Sequence, residues 1–221
     1  MLDMRFPRVS GDVGNPATWP FPVRYAVVRG ASPERVVRGD ARGLVEAFAA
    51  AGRALAADGA LGVITTCGFL ALHQRELARA LPVPFASSSL MQLPLVARTL
   101  PAGKRPGVIT IDAASLTRAH LEAVGADPET PIVGVDPHGT FARAIMDDLP
   151  SLDAAAAEQE MLAAGDALVA QHRDIGAVVL ECANMPPYAA ALRARLRVPV
   201  HDMVGFGCWL YVALSPRAYR R

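Results

Sequence analysis

Val63-Ile64-Thr65-Thr66-Cys67-Gly68-Phe69 returns later in the chain as Val178-Val179-Leu180-Glu181-Cys182-Ala183-Asn184. A constant offset of 115 carries Val63 onto Val178 and Cys67 onto Cys182 without a gap. The same offset carries Leu77 onto Leu192, Leu81 onto Leu196, and Val83-Pro84 onto Val198-Pro199. One structural unit therefore occurs twice. Each copy opens with apolar, mostly β-branched residues, reaches a Cys, and continues into an Ala/Leu/Arg segment of helical period before a second strand begins with Val-Pro. The pattern reads as strand, loop, helix, strand, with the Cys at the carboxyl end of the strand and near the amino end of the helix.

Open parallel sheets place ligands at that edge, and unsatisfied N–H groups at a helix start favour thiolate over thiol there. If an approximate two-fold axis relates the copies, the two sulfurs face each other across one cleft. Two opposed, exchangeable acid/base groups suit a reaction that removes a proton from one face of a carbon and returns one to the other. The competing reading is that each Cys packs as a small buried hydrophobe, and the shared position within a repeated unit weighs against it. Cys208, in Gly205-Phe206-Gly207-Cys208-Trp209, has no counterpart and is read as structural.

The chain has 221 residues, 52% of them hydrophobic, with a mean hydropathy of +0.26. That is the composition of strands covered on both faces by helices, and with the repeat it predicts an α/β protein of two similar lobes. Formal net charge is +1, and basic residues gather only at Arg217, Arg220 and Arg221, which read as a solvated tail. Nothing points to nucleic acid. No apolar run is long enough for a membrane span, and the start, Met1-Leu2-Asp3-Met4-Arg5-Phe6-Pro7, lacks the pattern of a signal peptide, so a cytoplasmic protein is expected. Three Cys without a CxxC give neither a disulfide framework nor zinc spacing. The five His are dispersed, so no metal is expected. Neither GxGxxG nor GxxxxGK[ST] occurs, and no cofactor is expected. A Cys–His hydrolase built on Cys67 with His138 or His201 leaves the equivalence of Cys182 unexplained.

In chain order, residues 1–22 read as a polar loop around Asn15. A strand follows over 23–28, then a helix from a cap at Asp40 to about Ala57 with Gly59 as its stop. The Cys67 unit is a strand over 61–66, a helix over 70–81 and a strand over 83–86. Ser87-Ser88-Ser89 then leads into a helix through about Leu100. Residues 101–106 are the lobe boundary. Beyond it the pattern predicts strands over 107–112, 131–135, 177–181 and 198–200, and helices over 113–125, 140–149, 152–172 and 187–196. The division is a first lobe over 1–100, a second over 101–204, and a last helix, Asp202 to Leu214, in a 205–221 segment returning to the first lobe. Around the two Cys lie Thr65, Thr66 and Gly68 in one copy and Asn184 in the other, with Thr110, Asp112 and Ser115 at another strand end. Such groups cap helices, and with loop N–H donors they also hold a carboxylate without Arg.

These residues resemble the aspartate/glutamate racemase superfamily, a cofactor-independent group of amino-acid racemases, hydantoin racemase, maleate isomerase and arylmalonate decarboxylase. The resemblance runs through Gly14-Asn15-Pro16, Thr65-Thr66-Cys67-Gly68, Gly107-Val108-Ile109-Thr110 and Glu181-Cys182-Ala183-Asn184. It implies two α/β lobes of parallel sheet with pseudo-two-fold symmetry and the active site between them. It also implies that Cys67 and Cys182 are the catalytic thiols, and that Thr66, Gly68, Ala183, Asn184 and the loop residue Asn15 contact a small carboxylate substrate. Phe69 and Thr110 join them as candidate substrate-binding residues, and Phe69, Met185 and Tyr188 as candidates for excluding water. Glutamate racemases carry Ala-Cys-Asn-Thr and Gly-Cys-Thr-His where this chain has Thr-Cys-Gly-Phe and Glu-Cys-Ala-Asn, so the resemblance does not single out glutamate among aspartate, glutamate, hydantoin or other substrates. The expected activity is racemisation or epimerisation of an amino acid or derivative by two-base proton transfer at the carbon next to a carboxylate. The alternatives are cis–trans isomerisation or decarboxylation on the same scaffold, or carboxylate binding without turnover. A homo-oligomer is compatible with all of them.

Overall fold

The structure, a computed structural model, describes residues 1–219; Arg220 and Arg221 of the basic tail lie outside the described residues. The chain is an α/β protein with two parallel sheets. The elements in order are α1 (Val45–Ala57), β1 (Val63–Ile64), α2 (Gln74–Ala80), β2 (Phe85–Ala86), α3 (Leu93–Thr99), β3 (Arg105–Thr110), α4 (Arg118–Ala123), β4 (Ile132–Gly134), α5 (Thr140–Met146), α6 (Ala154–Gln171), β5 (Ile175–Leu180), α7 (Ala189–Leu196), β6 (Val200–His201) and α8 (Met203–Leu214). One sheet is the pair β1-β2, and the other has the order β4-β3-β5-β6.

The repeat is visible in the hydrogen bonds. β1 pairs with β2 in the register Val63–Phe85 and Ile64–Ala86, and β5 pairs with β6 in the register Val178–Val200 and Val179–His201, each number higher by the same 115. The Val63 N–H donates to Pro84 O and the Val178 N–H to Pro199 O, both at 2.9 Å. Each Cys carbonyl then accepts from the residue three further on, Leu70 and Met185. Leu77 and Leu192 are both buried to 1% exposure or less. Each copy also seats its last leucine against a glycine of the preceding long helix. A Cβ on Gly52 would meet Leu81 at 2.6 Å, and one on Gly165 would meet Leu192 at 2.7 Å and Leu196 at 3.0 Å. The absent side chains let helix and leucine approach closely.

Side-chain caps fix several helix starts. Asp153 accepts from the N–H groups of Ala155 and Ala156 at α6, and Asp202 from that of Gly205 at α8. Ser88 accepts from the Leu90 N–H, the capping role read for the serine run. α8 packs toward β1: a Cβ on Gly62 would meet Leu214 at 2.6 Å, and one on Gly207 would meet Trp19 at 2.6 Å and Ile64 at 3.4 Å.

The first half of the chain is more irregular than its residue pattern predicts. Residues 23–28 form no strand. Instead the Met1 ammonium donates to Ala26 O (2.7 Å) and the Val28 N–H to Met1 O (2.9 Å), so the segment's hydrogen bonds go to the chain start rather than to a sheet. Asp40 is no helix cap: it and Ala41 have φ of 50° and 56°, left-handed values that a cap does not adopt, and α1 begins only at Val45 after a turn. The expected helix over 70–81 is a 3₁₀ segment, Gly68–His73, followed by α2. The helix expected over 113–125 is likewise shortened to α4, behind the Asp112 turn in which the carboxylate accepts from the Ala114 and Ser115 N–H groups. β1 hydrogen-bonds to a strand on one edge only, while β5 is flanked by β3 and β6; β1 is accordingly two residues long and β5 six.

Candidate active site

Cys67 follows β1 with extended backbone (φ −148°, ψ 113°) and opens the 3₁₀ segment, so its sulfur lies at the start of a helical turn. Thr65 locks this corner, its hydroxyl lying 2.6 Å from Ser87 O and 2.9 Å from Cys67 O. Cys182 follows the end of β5, and the 3₁₀ turn beyond it, Pro186–Tyr188, starts four residues later. Both Cys are nearly buried, at 8% and 7% exposure. They line one small cavity, together with Thr66, Gly68, Asn184 and Glu181. Arg8 and the apolar side chains of Leu2, Met4, Phe6, Phe69 and Ile111 complete much of its wall. Its volume is about 20 Å³, room for about one water, so a larger ligand must part the lining.

Three acids and one guanidinium are the ionisable side chains of this lining. Glu181 is 1% exposed; its Oε2 accepts from the Thr110 hydroxyl at 2.8 Å, and its Oε1 is buried without a partner. A Cβ on Gly68 would lie 2.2 Å from that Oε1, so the carboxyl occupies the space a side chain would need at position 68. Burial raises the Glu181 carboxyl to about 7, against the opposing Thr110 and Ile111 hydrogen bonds and with a smaller push from Asp112. Burial and then Glu181 push the Cys67 thiol up to about 12, although the Phe69 N–H, the Met1 ammonium and Arg8 favour its thiolate. Cys182 is raised well above the ordinary thiol value, again by burial and then Glu181. The expectation of thiolates favoured by the helix start is thereby corrected. The helical N–H groups act in the expected direction, but desolvation of the anion outweighs them.

The Cys182 thiol donates to Asn184 Oδ1 (3.4 Å), and Asn184 Nδ2 donates to Asp12 Oδ2 (2.6 Å). Asp12 Oδ1 accepts from the Gly14 N–H at 2.6 Å and from Arg8 at 3.3 Å. Burial raises the Asp12 carboxyl, with Arg8 and Asn184 opposing. Cys67 Sγ has no hydrogen-bond acceptor among the described residues, and the Thr66 hydroxyl, also on the wall, is buried without a partner.

Of the residues predicted from sequence, Thr66, Cys67, Gly68, Phe69, Cys182 and Asn184 meet at this cavity. Asn15, Thr110 and Ala183 do not line it. Asn15 donates to Arg8 O and accepts from the Ala17 N–H, Thr110 holds Glu181, and the Ala183 carbonyl accepts from the Val13 N–H. Met185 and Tyr188 are buried behind the wall, Tyr188 edge-on to Phe141. No His lines the cavity, which removes the Cys–His scheme, and no cluster of His, Cys, Asp or Glu among the described residues is arranged to hold a metal. Sequence reasoning missed Glu181, Asp12 and Arg8. The first was signalled by a carboxylate ending an apolar strand directly before Cys182, a costly placement outside a functional site.

The fold matches solved structures over most of its length. Arylmalonate decarboxylase superposes with a TM-score of 0.55 at 18% identity, covering 80% of this chain and 79% of that one. Picrophilus torridus aspartate racemase superposes with 0.55 at 14% identity, covering 89% and 82%. The chain has the aspartate/glutamate racemase fold. No family model matches the sequence. Two curated relatives, dimethylsulfoniopropionate lyases 5 and 7 of Emiliania huxleyi (strain CCMP1516), are each 30% identical over 92% of this chain. The chain spans 42% and 62% of their lengths. No helix among the described residues is long and apolar enough to cross a membrane.

Proposed function

We propose that the protein is a cofactor-independent enzyme that removes a proton from the carbon next to a carboxylate, and that it uses this step to cleave a sulfonium carboxylate of the dimethylsulfoniopropionate kind. The observation that carries the reading is the meeting of Cys67 and Cys182, equivalent residues of a repeated unit, on one buried cavity. Likeness to lyases over nearly the whole chain favours elimination over the racemisation expected from sequence. Cys67, as thiolate, takes the α proton; the electron pair left on carbon forms the α–β double bond, and the β carbon–sulfur bond breaks with its electrons leaving on dimethyl sulfide. The products are acrylate, the neutral sulfide and the protonated thiol. The free Thr66 hydroxyl and Arg8, whose guanidinium has donors beyond the one given to Asp12, are suited to the carboxylate. The apolar wall of Met4, Phe6 and Phe69 suits the sulfonium methyls.

A second reading, racemisation, has its own support in Cys182, a second thiol whose proton is already ordered by Asn184. One experiment separates them. Dimethylsulfoniopropionate is supplied and dimethyl sulfide measured in the headspace, while enantiopure amino acids and hydantoins are followed in deuterium oxide for α-deuterium uptake. Sulfide release without uptake supports elimination, and the reverse supports racemisation. Cys67→Ser and Cys182→Ser variants that both keep the full rate would sink both.

A further inference from the structure

Glu181 has no part in the chemistry above, yet it is the ionisable group of the cavity with an oxygen left free. Its Oε2 is held by Thr110, its Oε1 points to the place where residue 68 has no side chain, and that residue directly follows Cys67. Cys182 and Cys67 differ in a matching way: the Cys182 proton is given to Asn184, while Cys67 Sγ has no acceptor among the described residues. Arg8, the one cation of the lining, is engaged by Asp12, which in turn holds Asn184. A buried carboxyl oxygen without a partner is costly unless it is protonated or given a donor at some stage.

From this geometry we infer that Glu181 is the proton acceptor that turns Cys67 into the base, while Cys182 stays a thiol. The step rests on the reading of Cys67 as the group that attacks the α proton. In it the Cys67 S–H bond breaks, its electron pair stays on sulfur, and the proton forms an O–H bond on Glu181, so the cavity's charge is unchanged. After the thiolate has taken the substrate proton, Glu181 returns its own to solvent or to the departing products. Transfer also removes the charge that opposes the thiolate, since ionised Glu181 disfavours the anion of Cys67. Of the other groups facing the pair, Arg8 favours the thiolate, as does the Met1 amino group while it is protonated, its pKa lowered by burial to about 6; Asp112 favours protonated Glu181, and Cys182 is the remaining titratable group.

The test is Glu181→Gln, which keeps the shape and an oxygen for Thr110 but cannot titrate. Cys67 alkylation by iodoacetamide, quantified by peptide mass spectrometry from pH 6 upward, needs no substrate. The expected result is a midpoint moved to lower pH in the variant with an unchanged limiting rate, a gain of about tenfold in reactivity below the midpoint for each pKa unit released. Turnover of dimethylsulfoniopropionate should move the opposite way, with kcat falling by about 10²-fold or more, KM little changed and the pH dependence near 7 lost. A residue that merely braces the wall would, when replaced, raise alkylation at every pH without moving the midpoint. An unmoved midpoint overturns the assignment whether or not any substrate is turned over. A moved midpoint with full turnover also overturns it, leaving Glu181 a charged neighbour and no proton carrier. Absence of turnover in the unaltered protein counts against the lyase reading, and the alkylation midpoint then decides the role of Glu181 by itself.

Discussion

Replacing Gly68 with Ala adds one methyl group where the wall has no room. The new Cβ would lie 2.2 Å from Glu181 Oε1 and 2.4 Å from Glu181 O. The carboxyl can rotate away; the carbonyl lies directly after β5 and cannot move without disturbing the Ser89 hydroxyl, which lies 3.4 Å from it and donates to the neighbouring Leu180 O at 2.5 Å. Overpacking of this kind costs about 1–3 kcal/mol. For a chain of this size that is a fall in Tm of roughly 2–12 °C. The displaced carboxyl also loses the Thr110 hydrogen bond, so turnover should fall further than stability predicts. Gly205→Ala is the matched control: its nearest outside atom is Asp202 Oδ1 at 3.5 Å and it lies inside α8, so the same methyl should stabilise by up to about 1 kcal/mol. Differential scanning calorimetry of the two variants at pH 5 and pH 8 checks the pair. A Gly68→Ala protein with unaltered Tm and unaltered turnover would refute the packing of Glu181 against the Cys67 turn.

Three further outcomes are expected. The Glu181 carboxyl titrates near 7 in the folded chain against an ordinary 4.5, so its contribution to stability is full below pH 4.5 and is lost as pH rises through 7. The difference in unfolding free energy between the unaltered protein and Glu181→Gln should therefore shift by about 3 kcal/mol in favour of the variant between pH 4 and pH 8, measured by urea titration at each pH. Asp12→Ala strips the partner from Arg8 and Asn184 in a buried setting and should cost about 3–5 kcal/mol, read from the same titration. Leu77→Ala and Leu192→Ala remove equivalent, fully buried side chains of the two copies; each should cost about 2–5 kcal/mol, and because they lie in separate units the double variant should lose close to the sum.

Much of this architecture was legible in the residues because its cause is local and repeated. The strand-to-helix switch at each Cys, the Pro after each leucine-ended helix and the constant spacing between copies predict the paired registers that β1-β2 and β5-β6 adopt. What was not legible depended on distant partners. The 23–28 segment has the composition of a strand, but its hydrogen bonds go to Met1, and composition does not name a partner. Asp40 has the chemistry of a cap and a backbone conformation that forbids the role. At the site, the two thiols followed from position within the repeat, and Asn184 from its polar side chain beside Cys182 and from the resemblance. From sequence Glu181 reads only as one flank of a Cys, because its significance lies in Gly68, more than a hundred residues earlier, leaving it space.

The burial that makes thiolates scarce here also makes each one effective. With Cys67 near 12, about one molecule in 10⁵ would carry its thiolate at pH 7 if the proton had to leave for bulk water. A thiolate of that basicity is correspondingly better matched to a carbon acid beside a carboxylate than an exposed one, since proton transfer becomes easier as the two affinities approach. A site that gains base strength by desolvation then faces a shortage of the charged form. Lowering the thiol's proton affinity permanently, with a fixed cation beside it, would relieve the shortage and forfeit the strength. In this cavity the one guanidinium is engaged by Asp12, and one of the two free oxygens, beside that of Thr66, belongs to the Glu181 carboxyl, a group that disfavours the thiolate while ionised and ceases to do so once it holds the proton. The two requirements are met by a group whose charge changes during the step, which a fixed cation cannot supply.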